Sequence, residues 1–154
     1  MFLFEVLSPQ WASKLVEQVY IEDSVEQQFL KYALLAKAAS YYIMGRIGIN
    51  EIDVIDLQES YISLILMALP GYLDKFRLII HTPGPWGHPS YPGEYVQKEF
   101  GVPAGKHIVS TIYALEKLGK AIVVSMKHRE IISKVFPEFS EVFRPITNGI
   151  YLRR

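Results

Sequence analysis

Three positions carry side chains suited to proton transfer or ligand binding, and each stands at the end or start of a patterned segment. His81 and Thr82 close the apolar run FRLIIHT (76–82), and Lys106 and His107 open a helical pattern. Ser125 lies near the end of a second apolar run, KAIVVSM (120–126), with Lys127 and His128 directly after it. An imidazole titrates near neutral pH and can pass protons, while a lysine beside it can hold an anion. The expected catalytic set is therefore His81, His107 and His128. Taken singly, each histidine reads as a capped or partly exposed side chain, and the three gain weight only as a group.

The segment between the first run and the next helical pattern, 83–105, exceeds the two to six residues usual for such a connection and reads as a binding loop or lid. Its prolines restrict it, Gly84 allows close backbone approach, and Trp86, Tyr91 and Tyr95 offer flat surfaces for a ring or simply pack the loop onto the domain. Pro103-Ala104-Gly105-Lys106 reads as an open helix N-terminus with a cation beside it, suited to a phosphate or carboxylate. Thr82, Gly84, Trp86, Gly105, Lys106 and Ser125 are thus the expected ligand-binding residues.

Several chemistries are disfavoured. His81, His88 and Glu94, with His107 or His128, do not have metal-ligand spacing on one helix face, and no metal site is expected. The segment from Gly101 to Lys106 is one residue short of a Walker A loop and has His107 where Ser or Thr would be needed; no G-x-G-x-x-G occurs. A nucleotide triphosphatase or a dinucleotide enzyme of the common kind is therefore not expected, and the cofactor is unknown. Ser125 lacks a nucleophile elbow. His81-Thr82-Pro83-Gly84 after an apolar strand resembles the same stretch of serine peptidases of the Clp type. The second glycine and the downstream serine segment are absent, so the resemblance does not carry that activity over.

Strands are expected near 2–7, 76–82, 120–126 and 149–153. Helices are expected near 9–20, 24–44, 57–69, 106–118 and 129–136. Ser8 and Pro9 mark the start of the first helix, with Trp11, Leu15 and Val19 inward. Ser24 with Gln27 marks the second, which Gly45 ends. Val25, Phe29, Ala33, Ala36 and Ile43 form its core face, while Leu30, Leu34, Tyr41 and Tyr42 add apolar surface elsewhere, so a homo-oligomer contact through 24–44 is one reading of it. Residues 52–55 fit a short strand or a helical turn, and Asp56 with Glu59 reads as a helix start. After residue 75, strand and helix alternate with apolar runs that lack a period of two, the pattern of a parallel sheet covered by helices. The expected fold is a single α/β domain, of two or three layers, with a small, mainly parallel sheet. Such sheets bind ligands beyond the carboxyl ends of their strands, which is where the histidines would gather.

Composition bounds the function. The chain has 154 residues, equal numbers of acidic and basic side chains (16 each), half apolar residues and no cysteine, which excludes disulfides and thiolate chemistry. No basic leader precedes the first apolar residues, and Phe29 to Met44 is too short and too charged to span a bilayer, so a cytoplasmic protein without membrane association is expected. The leading reading is a protein, enzymatic or not, that binds an anionic small molecule or nucleotide at the sheet rim. The competing one is a self-associating assembly or viral-particle subunit without a ligand. A third is nucleic-acid binding through the more basic last third, where Lys117, Lys120, Lys127, Arg129 and Lys134 would join Arg144, Arg153 and Arg154. Lack of cysteine with abundant Ile, Tyr and charged residues also suits a hot environment.

Overall fold

The computed structural model describes residues 4–17 and 24–149. A parallel sheet with helices packed on it gives the α/β fold expected. In chain order its elements are α1 (Gln10–Lys14), α2 (Val25–Tyr42), β1 (Ile55–Gln58), α3 (Ile65–Ala68), β2 (Phe76–Ile80) and β3 (Ser90–Pro92). They continue with α4 (Gly93–Phe100), β4 (His107–Val109), α5 (Ser110–Leu118), β5 (Ala121–Val123), α6 (Met126–Val135) and β6 (Phe143–Pro145). The main sheet has the order β1-β2-β5-β6 with every pair parallel, and β3 and β4 form a separate antiparallel pair.

The core lies on one face of this sheet. Leu57, Phe76, Leu78, Ile80, Ala121, Val123 and Phe143 alternate along the strands and are buried against Phe29, Ala33 and Ala36 of α2 and Ala114 and Leu115 of α5. On the opposite face Asp56 stands in register with Arg77 and forms a two-pronged ion pair with it, at 2.7 and 2.9 Å. Phe29 anchors an aromatic cluster with Tyr91, Tyr95 and Phe100, ring centroids 5.2 to 6.4 Å away, which ties α2 to β3 and α4.

Ser24 caps α2 as expected, its Oγ accepting from Gln27 N at 3.2 Å, but the helix runs on through a π-helical turn (43–47) to Gly48 at φ +88° and does not stop at Gly45. Val25 is exposed, while the rest of the expected face is buried. The first helix is a five-residue piece without a side-chain cap from Ser8, and Trp11, expected inward, is 59% exposed while Ala12 is buried. Positions 18–20 of that expected helix lie outside the described residues. Residues 4–7 carry no strand, and the start of the expected 2–7 strand is outside the described range. The strand expected over 149–153 likewise falls almost wholly outside it; β6 occupies 143–145 instead.

Two differences reshape the rim. The helix expected over 57–69 is replaced by β1, a 3₁₀ turn over 60–64 and the short α3. Leu57 is buried in the core while Asp56 meets Arg77 across the strands, so sheet pairing overrides the helix-start pattern of Asp56 and Glu59. The long loop after β2 is partly structured as well. It holds the 3₁₀ turn 85–87, β3 and α4, and the helix expected from Lys106 begins at Ser110 because 107–109 pair with β3.

Candidate functional site

Glu59 is the hinge of the site. It follows β1 directly and has φ +74°, the only non-glycine positive φ among the described residues. An L side chain in that region is strained and persists where surrounding bonds hold it. Those bonds are visible. Glu59 N donates to Ile79 O at 2.9 Å, and one carboxylate oxygen, Oε1, accepts from His81 N at 3.1 Å and from Thr82 Oγ1 at 2.8 Å. The other oxygen, Oε2, is buried without a hydrogen-bond partner. An acceptor of this kind ordinarily has one.

Around Glu59 opens a cleft of about 690 Å³, lined by Tyr32 and Leu35 of α2, Asp56 and Gln58 of β1, Tyr61 and Ile62, and Thr82, Trp86 and Gly87 of the loop after β2. Tyr32 and Tyr61 lie ring to ring at 4.9 Å. The loop is fastened over the turn that follows β1, since Ser60 Oγ donates to Gly87 O at 2.6 Å and Tyr61 OH donates to Trp86 O. The Trp86 indole is largely exposed and packs over Gly84, where an added Cβ would stand 2.4 Å from the ring.

Beside the cleft, His81 Nε2 is 2.7 Å from Gln58 Oε1. With that oxygen accepting, Nε2 carries the proton and Nδ1 is the basic nitrogen. Behind it lie two buried imidazoles. His128, 5% exposed, has Nδ1 positioned to accept from Val124 N at 3.4 Å; His88, 8% exposed, has Nδ1 2.8 Å from Thr111 Oγ1 and its ring edge-on to Phe136. The buried Nε2 of His128 has no partner, while the His88 ring also meets the backbone of Pro83. Burial pushes both below the ordinary histidine value, with repulsion from His81 adding to the effect on His128 and repulsion from His128 adding to that on His88. His128 thus neighbours both His81 and His88, and His107 is not part of this series.

The other expected residues divide. Thr82 and Trp86 line the cleft and Gly84 supports the indole. Ser125 is engaged as the cap of α6, its Oγ accepting from His128 N at 3.0 Å. Gly105, Lys106 and His107 belong to the β3–β4 pair: Lys106 O accepts from Gly93 N, and Gly105 and His107 line a different depression with Tyr113, Glu116 and Lys117. Lys106 is thus four residues ahead of the start of α5 in the chain and not at its N-terminus. Of the basic last third, Arg129 approaches Glu141 at 4.0 Å and Lys117 lies over the Tyr113 ring.

Glu59, Gln58 and His88 were not among the expected site residues. The alternation Ile55-Asp56-Leu57-Gln58 was the signal for β1, and with β1 in place Glu59 falls at a strand end. Among the described residues no group of three or more His, Asp or Glu is placed to hold a metal ion, and no helix is long and apolar enough to cross a membrane. No protein-family model matches the chain, and no curated protein matches its sequence.

Proposed function

We propose that the protein binds a small ligand in the cleft at the carboxyl ends of β1 and β2, and that the ligand presents a hydrogen-bond donor to Glu59 and a flat or apolar part to Tyr32, Tyr61 and Trp86. The observation that carries this reading is the unpartnered Oε2 of Glu59, on a residue held at positive φ at the wall of an aromatic cleft. Strain and missing hydrogen bonds concentrate where function requires them. Of the two carboxylates in the lining Asp56 is paired with Arg77, which leaves Glu59 as the uncompensated charge and favours a neutral or cationic ligand over the anion or nucleotide expected from the sequence. His81, whose ring meets Gln58 beside the cleft, is the group suited to exchange a proton with such a ligand.

The test uses benzylamine, an aromatic cation, against benzoate, its anionic counterpart, titrated into the ¹⁵N-labelled chain. Benzylamine should shift the amides of Glu59, Thr82 and Trp86 saturably, and Glu59→Gln should weaken it about tenfold, a factor equal to roughly 1.4 kcal/mol. Preference for benzoate, or no response to either compound, would overturn the reading.

A second reading is self-association through α2. It is favoured by Tyr41, 81% exposed, with Met44 exposed one turn on. Sedimentation at rising concentration should then show a dimer that Tyr41→Lys abolishes; a monomer throughout would remove it.

A further inference from the structure

The free edge of the sheet points to the class of ligand. Gln58 stands in register with Ile79, and Glu59 N donates to Ile79 O, so Leu57 and Glu59 direct their backbone groups toward β2. In an extended strand the intervening residues direct theirs the other way. The N–H and C=O groups of Asp56 and Gln58 therefore face outward, and among the described residues they have no backbone partner and β1 has no strand on that side. The cleft opens along this edge, with Asp56 and Gln58 in one wall and Tyr32 and Leu35 of α2 in another.

Proteins ordinarily blunt an exposed edge with proline, charged side chains such as lysine, a bulge, short length or a covering element. Among the described residues β1 is short but has no proline, lysine, bulge or strand on its outer side, and its one charge, Asp56, is paired with Arg77. Its sequence is Ile-Asp-Leu-Gln, its register with β2 is regular, and its two polar side chains are turned to β2, Asp56 to Arg77 and Gln58 to His81. The edge thus offers two donors and two acceptors in a row about 7 Å long, beside aromatic rings and ending at a carboxylate.

We propose that the occupant of the cleft is an extended peptide segment of about four residues that adds a strand to β1, bonds to the backbone of Asp56 and Gln58, and brings a basic side chain to Glu59. This is the geometry of strand-addition recognition, in which main-chain bonds supply affinity and side-chain pockets supply selectivity. The proposal rests on the cleft being a ligand site and narrows its ligand to a polypeptide.

The experiment titrates acetyl-Val-Lys-Val-Thr-amide into the ¹⁵N-labelled full chain, beside two versions N-methylated at alternate residues, one in each phase. The parent peptide should shift the amides of Asp56 and Gln58 saturably. One N-methylated phase should bind at least tenfold more weakly, because it loses the donors that face the edge, and the other should bind nearly as well as the parent. Equal binding of both methylated peptides overturns strand addition. Binding of benzylamine without the parent peptide does the same and leaves the cleft reading standing. Silence with both probes overturns the two together. Concentration-dependent shifts of Asp56 and Gln58 in the unliganded chain would assign the edge to a second copy and overturn the peptide.

Discussion

The Thr82 hydroxyl donates to Glu59 Oε1 at 2.8 Å, and this bond joins the residue that leaves β1 to the loop that leaves β2. The same oxygen holds the His81 amide, so a single carboxylate atom sets the relative position of two strand ends, a strained backbone and the start of the aromatic loop.

Thr82→Val should therefore do more than remove a surface contact. It deletes a hydrogen bond to a carboxylate whose other oxygen already lacks a partner, and should destabilise the fold by about 1.5–3 kcal/mol, with Thr82→Ser recovering most of the loss. Urea unfolding of the three proteins checks this. Equal midpoints for wild type and Thr82→Val would show that the bond does not hold the rim.

Stability should fall in mild acid. His88 and His128 are held below the ordinary value of 6.5 by burial, so between their folded values and 6.5 the unfolded chain binds more protons than the folded one. Their contribution is complete above 6.5 and is lost as the pH falls through the folded values. Unfolding free energy measured from pH 7.5 downward should decline through this window, and His88→Gln should flatten the decline. A profile independent of pH down to 5, in both proteins, would contradict the buried placement of these rings.

The β3–β4 pair is locked by a glycine. A Cβ on Gly93 would stand 1.8 Å from Gly105 O and 3.1 Å from Ala104 Cβ, and the first obstacle is backbone. Gly93→Ala should destabilise by about 1–3 kcal/mol, the range for overpacking that forces backbone shifts. Gly105→Ala, where an added Cβ meets nothing within 4 Å, is the control and should be close to neutral. Thermal melts of both variants decide it.

Ser125→Ala should remove the cap of α6 and cost about 1 kcal/mol, while Ser125→Asp should be tolerated. The amide of His128 follows the effect by hydrogen exchange, because it donates to the cap. Faster exchange in Ser125→Ala, restored in Ser125→Asp, is the expected pattern.

Much of the architecture was legible without coordinates, because it depends on local pattern. The apolar runs around Leu78-Ile79-Ile80 and Ile122-Val123 mark strands of a parallel sheet, and Ser24 with Gln27 marks the start of α2, since burial period and capping chemistry are written in neighbouring residues. The direction of the strands then brings His81 and His128 to one border. What local pattern does not encode is which of two compatible conformations the rest of the chain selects. Asp56 and Glu59 have the spacing of a helix start, yet pairing with β2 draws 55–58 into a strand and leaves Glu59 at positive φ. Lys106-His107 has the look of a helix entrance, yet pairing with 90–92 extends 107–109 as β4, and neither residue lines the cleft. His88 enters the cluster because the loop folds back until its ring meets Thr111 and Phe136, partners 23 and 48 positions further along the chain. Backbone pairing and burial between distant segments decide these choices, and their energies depend on neighbours that exist only once the chain has folded.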